Sequence, residues 1–277
     1  MELLTDKHVI VTGGASGLGR EMVLGLLGKG ALVFVVDKSN DLIINLQSEL
    51  EQKKYKNFRT LASDLSERGC GEKILDFATK EFGNVFGLVN NAGIGRSVIK
   101  DDIFLNPPRF WEMTELMWEN FLSINASAAF RTMRTIVPHM IENGQGRVIN
   151  VTTSLDSMLI SGSAGYGASK AAMESISAIA SDDLKGTGVN VNVLIPGGPV
   201  DTPMIPKSSP YRRDSLLKPD CMVSPLLWLL TEEAKEISAL RIQAHLWDNQ
   251  IPPLEALKKS SAPIAWKALS GEMRKPI

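Results

Sequence analysis

His8-Val-Ile-Val-Thr12-Gly-Gly-Ala-Ser16-Gly-Leu-Gly19 is a β-branched apolar run that ends in a cluster of glycines. The run reads as a strand. After it, Leu18, Met22, Val23, Leu26 and Leu27 fall on one face of a helix over 18–28, and Gly30 is placed to end that helix. Strand, glycine turn and helix in this order form an anion-binding device. The glycines at 13, 17 and 19 allow a tight turn, close backbone approach to a pyrophosphate and close helix–strand packing. The helix start supplies free N–H groups and the positive end of its dipole.

Outward from this unit the pattern repeats. Strands are predicted over 31–36, 58–62, 85–89, 147–152, 189–195 and 239–244. Helices are predicted over 41–53 (capped by Asn40), 70–82, 114–141, 164–185 and 223–235. Parallel strands need helix-length returns, so the alternation predicts an α/β fold: a Rossmann-type doubly wound parallel sheet of about seven strands flanked by helices. Residues 1–247 read as one dinucleotide-binding catalytic domain and 248–277 as a C-terminal extension. That extension carries Pro252, Pro253, Pro263 and Pro276 and reads as a partly ordered surface tail, or else as an arm over its own or a neighbouring subunit's active site.

Composition sets limits. The 277 residues carry 30 Lys+Arg against 31 Asp+Glu, a net charge of −1, which argues against nucleic acid as a partner. Two cysteines make no disulfide framework, and the three histidines have no metal-ligand spacing, so no metal is expected. No apolar run approaches the ~18 residues of a membrane span, and Met1–Lys7 lacks the basic start of a signal peptide. A cytoplasmic protein without a membrane partner is the expectation.

Asp37 ends the second strand eighteen positions after Gly19, near the ~20 expected for the acid that binds the adenosine ribose hydroxyls. A carboxylate there repels a 2′-phosphate and favours NAD over NADP, although Lys38 beside it is a base that could tolerate the phosphate. Tyr166 and Lys170 are four apart and share a helix face. Free tyrosine titrates at ~10, too high for proton transfer near neutrality. An ammonium about 5 Å away contributes on the order of 3 kcal/mol at an effective dielectric near 20, roughly two pKa units. An oxidised nicotinamide adds more positive charge while burial opposes the shift, and the balance predicts a Tyr166 poised near neutral pH.

The G-x-x-x-G-x-G spacing resembles the short-chain dehydrogenase/reductase family, and further landmarks follow in order: Asp64-Leu65, Asn90-Asn91-Ala92-Gly93, Asn125, Tyr166-Gly-Ala-Ser-Lys170, Pro196-Gly197 and Thr202. The resemblance covers about 7–245. It implies an NAD(H)-dependent oxidoreductase that interconverts a secondary alcohol and a ketone, as a homodimer or homotetramer. By it, Gly13, Ser16, Gly17, Leu18, Gly19, Asp37, Asp64, Leu65, Asn91, Ala92 and Gly93 bind the dinucleotide, with Pro196, Gly197 and Thr202 at the nicotinamide. Tyr166 becomes the acid/base. Lys170 also holds the nicotinamide ribose, and Asn125 holds a water in a proton relay, unless it only satisfies a buried carbonyl. Where the family has a serine, thirteen positions before the tyrosine, this chain has Thr153, with Ser154 next to it as the alternative hydroxyl. Ser238-Ala239 replaces the family's usual Thr-Gly, which puts that turn in question.

Several expectations concern neighbouring segments. The loop 203–222 is read as a lid, with Met204, Ile205, Tyr211, Leu216 and Leu217 as an apolar substrate wall and Arg212 and Arg213 as solvated. Phe110, Trp111, Trp118, Phe121 and Leu122 are assigned mostly to the core. The competing functions are a cofactor-binding regulator or scaffold, and a non-redox relative such as a lyase.

Overall fold

The computed structural model describes residues 3–266. Strand β1 (His8–Thr12) leads through the glycine turn into α1 (Gly17–Gly28). There follow β2 (Leu32–Asp37), α2 (Asn40–Gln52), β3 (Phe58–Ala62), α3 (Cys70–Phe82) and β4 (Gly87–Asn90). The second half runs α4 (Glu115–Leu122), α5 (Ala128–Glu142), β5 (Gly146–Val151), α6 (Leu155–Met158), α7 (Ala164–Asp183) and β6 (Val189–Ile195). It closes with α8 (Val223–Leu229), β7 (Leu240–Gln243), α9 (Pro253–Ser260) and β8 (Ser261–Pro263).

The strands form one sheet in the order β3-β2-β1-β4-β5-β6-β7-β8. Both β2 and β4 pair with β1 in parallel, so the crossovers leave β1 in opposite directions and open a crevice at its carboxyl end. Alternation along β1 buries both sheet faces. Val9 and Val11 pack with Met22 and Leu26 of α1, whereas Ile10 packs on the other side with Ile74 of α3 and Ile136 of α5.

The structure corrects the expected tail. Residues 253–263 form α9 and an eighth strand, antiparallel to β7, with Ala256, Leu257 and Ile264 buried. The extension therefore pairs the outer side of β7 and moves the sheet edge to β8, a strand of three residues that ends in Pro263. Residues 267–277, including Pro276, lie outside the described residues.

Other departures are local. Ser39 caps α2, its hydroxyl accepting from the Leu42 N–H at 3.3 Å, so Asn40 is already inside the helix. Helix α8 ends at Leu229, where turns through Thr231 and the acids after it replace the expected last turns. Phe110 and Trp111 are about 70 % exposed, at 72 % and 69 %, because they form a 3-10 turn before α4 instead of a helix face. Trp118 is also exposed, and of the five aromatic and aliphatic residues assigned there only Phe121 is fully buried. Ala239 keeps the turn that a glycine would make, at φ 63°.

His8, 1 % exposed and edge-on to the Phe82 ring at 5.0 Å, is lowered from 6.5 to about 4. Burial is the main cause; the backbone of Gly83 and Asn84 opposes it only in part. Between these two values the unfolded chain binds a proton that the folded chain does not. The contribution to stability is therefore full above about pH 6.5 and is lost as pH falls toward 4, with a limit of roughly 3 kcal/mol. Urea unfolding at about pH 7 and about pH 4.5 checks this. The parent is expected to lose more stability on acidification than His8→Leu, and equal losses would overturn the assignment.

Candidate active site

The crevice over β1 and β4 continues into a cavity of about 850 Å³ that runs from Asp37 and Asp64 at one end to Tyr166 and Met204 at the other. Of the residues named from sequence, the structure brings Gly13, Ser16, Gly17, Leu18, Asp37, Asp64, Leu65, Asn91, Ala92, Gly93, Thr153, Tyr166, Lys170, Pro196, Gly197 and Thr202 to its lining. Gly19 and Asn125 stand one layer behind.

The glycine turn is built by exclusion. A Cβ on Gly13, whose φ is 61°, would sit 2.8 Å from Ala92 Cα, and a Cβ on Gly19 would overlap the Gly13 carbonyl oxygen. Asn91 Nδ2 donates to the carbonyls of Thr12 and Gly13, both at 3.0 Å, so its side chain shapes the turn and leaves its backbone to face the cavity. Thr12 Oγ1 accepts from the N–H groups of Asn91 and Ala92 at 3.1 and 3.2 Å. Ser16 caps α1 without a side-chain bond, and Thr202 lies across from Gly17. The start of α1 thus presents N–H groups and a positive dipole end to the cavity, the geometry a pyrophosphate requires.

Asp37 is held at the end of β2. Its Oδ2 accepts from the Ala15 N–H at 3.2 Å and its Oδ1 from the Ser39 N–H at 3.1 Å. Asp64, on the next strand end, has its carboxyl lowered by the Ser66 backbone N–H at 2.8 Å. At the far end Gly197 has φ 91°, and a Cβ there would collide with the His245 ring. These glycines and acids fit a dinucleotide.

At the reacting end, Thr153 and Tyr166 both line the cavity, and the Thr153 hydroxyl is near enough to the phenol to favour its ionised form. Desolvation raises the Tyr166 phenol above its ordinary value; the Thr153 hydroxyl and the charge of Arg96 oppose the rise. This departs from the expected lowering by Lys170. That ammonium is buried and spends a hydrogen bond on the Val151 carbonyl at 2.9 Å, and burial brings it down to about 8. Ser154 is committed elsewhere. It caps α6, accepting from the Ser157 N–H at 3.3 Å, and pairs closely with the Ser157 hydroxyl.

Asn125 sits in a π-turn, Ser123–Ser127, between α4 and α5 and is wholly buried. Its Nδ2 donates to the Ile94 carbonyl and to Ser169 Oγ at 3.0 and 3.1 Å, and its Oδ1 accepts from the Ile94 N–H at 2.7 Å. The side chain clamps the peptide that follows Gly93.

The segment 95–112 and the lid close the mouth together. Ser97 Oγ donates to the Met204 carbonyl at 3.0 Å, and the Phe104 and Tyr211 rings meet edge-on at 5.5 Å. Met204, Ile205 and Tyr211 line the cavity as expected, but Leu216 is buried and Leu217 packs on Gly198, so the lid proper is shorter than 203–222. Arg213 is not merely solvated: it bonds Asp201 at 2.9 Å and the carbonyls of Thr202 and Ile205. Arg96 went unnoticed in the sequence. It lines the cavity with its guanidinium 4.6 Å from the Phe104 ring centroid, and its place three residues after Gly93 was the only available pointer.

Among the described residues no helix is long and apolar enough to cross a membrane, and no group of three or more His, Cys, Asp or Glu side chains could hold a metal ion.

A family model described as short chain dehydrogenase matches residues 7–212. A short-chain type dehydrogenase/reductase of Picea abies is 28% identical over 255 residues, covering 85% of this chain and 90% of the relative. The 3-oxoacyl-[acyl-carrier-protein] reductase of Thermotoga maritima is 26% identical over 244 residues, covering 85% and 94%. The crystal structure of 3-ketoacyl-(acyl-carrier-protein) reductase from Brucella melitensis complexed with NADH has a TM-score of 0.74 at 25% identity, covering 85% of this chain and 95% of that one.

The two neighbouring hydroxyls separate by measurement. Ser154→Ala removes a helix cap and is expected to cost about 1 kcal/mol in urea unfolding while leaving the Tyr166 phenol unchanged. Thr153→Ala removes a hydroxyl that lowers the phenol and is expected to raise its titration midpoint, read from phenolate absorbance with Tyr166→Phe as background. A midpoint that moves only in Ser154→Ala would reverse the assignment.

Proposed function

The chain belongs to the short-chain dehydrogenase/reductase family and is an oxidoreductase of it, and from that premise we propose that it interconverts an apolar secondary alcohol and its ketone with NAD(H). The observation that carries the reading is that Tyr166, Thr153 and Lys170 line one end of a single cavity whose other end is lined by Asp37.

A bound nicotinamide dinucleotide supplies or accepts the hydride. The residues of the chain do the rest. Gly13, Ser16, Gly17, Leu18 and Gly19 would hold the pyrophosphate on backbone N–H groups, and Asp37 would accept from the ribose hydroxyls. Asp64 and Leu65 would flank the adenine; Asn91, Ala92 and Gly93 would form the floor; Pro196, Gly197 and Thr202 would meet the carboxamide. A fixed carboxylate at Asp37 disfavours a 2′-phosphate, which supports NAD over NADP.

Thr153 would donate a hydrogen bond from its hydroxyl to the substrate oxygen and hold that oxygen near the Tyr166 phenol. In ketone reduction Tyr166 gives its proton to that oxygen, and a phenol kept protonated at neutral pH suits this role. In alcohol oxidation the phenol must first lose its proton. The positive charge of Arg96 then stabilises the phenolate. Asn125 contributes by fixing Ile94 and Ser169 around Lys170. The walls at Ile94, Phe104, Met204 and Ile205 suit a hydrophobic substrate. Phe130 and Ile141, both exposed on α5, supply apolar surface that supports a homodimer or homotetramer.

Fluorescence titration with NADH and NADPH tests the cofactor reading. NADH is expected to bind at least roughly tenfold more tightly, about 1.4 kcal/mol, and Asp37→Ala to narrow that ratio. Tyr166→Phe is expected to lower kcat by roughly 10²–10⁴-fold on any alcohol or ketone turned over. Failure to bind either dinucleotide, or full turnover by Tyr166→Phe, would overturn the proposal.

A further inference from the structure

Behind the reacting hydroxyls lies a buried ion pair with no part in the chemistry described so far. Glu174, fully buried, follows Lys170 by four residues and Tyr166 by eight on α7, so the three share a helix face. Its Oε2 accepts from Thr152 Oγ1 at 2.7 Å. Its Oε1 accepts from the Ala265 N–H at 3.0 Å and lies 3.2 Å from Arg241 Nε. Arg241, whose side chain is 6 % exposed, stands on β7 and donates from its other end to the Thr153 carbonyl. One carboxylate therefore gathers the end of β5, the middle of α7, β7 and the residue two places after β8.

Burying two charges costs several kcal/mol, and an apolar pair of similar volume is often as stable or more so. What an apolar pair lacks is direction. Here Glu174 fixes the residue before the Thr152–Thr153 peptide and Arg241 fixes the carbonyl just beyond it. Charged hydrogen bonds are short and angular, so the pair sets the rotation of the backbone that carries the Thr153 hydroxyl. Ala265 adopts the left-handed φ of 60°, which turns its N–H onto the carboxylate.

We propose that Glu174 and Arg241 are positioning residues which, anchored by the C-terminal strand through Ala265, aim the Thr153 hydroxyl at Tyr166. The proposal rests on Thr153 and Tyr166 being the reacting hydroxyls. It makes residues 261–265 a working part of the active site, reached from behind the sheet rather than over the cavity mouth.

The test uses the full chain and a double variant, Glu174→Met with Arg241→Met, which removes both charges together and avoids stranding one in the core. Thr152→Val, which loses one hydroxyl bond and no charge, accompanies it. Three quantities are read: the thermal midpoint, NADH affinity by fluorescence, and the Tyr166 phenolate midpoint with Tyr166→Phe as background. Turnover is added for whatever alcohol the parent oxidises. The expected result is a folded double variant with NADH affinity within about twofold of the parent, an upward shift of the phenolate midpoint and a kcat reduced roughly tenfold or more. Thr152→Val moves the same two quantities in the same direction by less. A folded double variant with the parental phenolate midpoint and kcat would overturn the proposal and leave the pair a purely structural contact. If parent and Tyr166→Phe turn over substrates equally, the oxidoreductase mechanism fails, and the phenolate midpoint still judges the positioning role.

Discussion

Everything at this site depends on how closely α1 approaches the end of β1. Gly19 has no room for a side chain because the Gly13 carbonyl occupies that space, and Asn91 ties the same carbonyl to the end of β4. The contact does two things at once. It sets the start of α1 against the carboxyl edge of the sheet, where unpaired N–H groups can meet an anion. It also draws the β1 and β4 ends together at the point where the crossovers diverge, which places Ala92 and Gly93 in the cavity beside Lys170.

The reacting end is assembled differently. No single turn builds it. Thr153 comes from the end of β5, Tyr166 and Lys170 from α7, and Asn125 from a π-turn that interrupts what would otherwise be one long helix. Their environment is low in water, and that sets the electrostatics. The phenol rises and the ammonium falls, so each charge is costly unless a partner stabilises it. An interior of this kind favours groups that exchange a proton locally over groups that stand permanently charged.

Legibility in the sequence followed locality. The glycine turn, Asp37 and the Tyr166–Lys170 pair were readable because each depends on spacing within one element or one turn. The helix face shared by Leu18, Met22, Val23, Leu26 and Leu27 is likewise a local periodicity, and Met22, Val23, Leu26 and Leu27 are buried as it requires. Misreadings arose where a residue's fate depends on distant chain. Phe110 and Trp111 have the composition of a core and lie on an exposed turn. Leu216 and Leu217 resemble a substrate wall, yet they pack inward behind Gly198. The Coulomb attraction of Lys170 is expected to outweigh burial at Tyr166, whereas in the fold desolvation is the larger effect on both groups.

The amino-acid sequence by itself determined the α/β alternation, the family resemblance and the identity of the groups around the cavity, since periodicity and spacing encode local geometry. The tertiary structure sets the two neighbouring hydroxyls apart, with Ser154 capping α6 and Thr153 acting on the Tyr166 phenol, because a one-residue difference at a strand end depends on what each side chain finds across space. It also decided that the proline-rich segment after residue 252 joins the sheet as β8 and delivers the Ala265 N–H to Glu174. Strand pairing and buried charge pairs join residues far apart in the chain, and no local pattern records their partners.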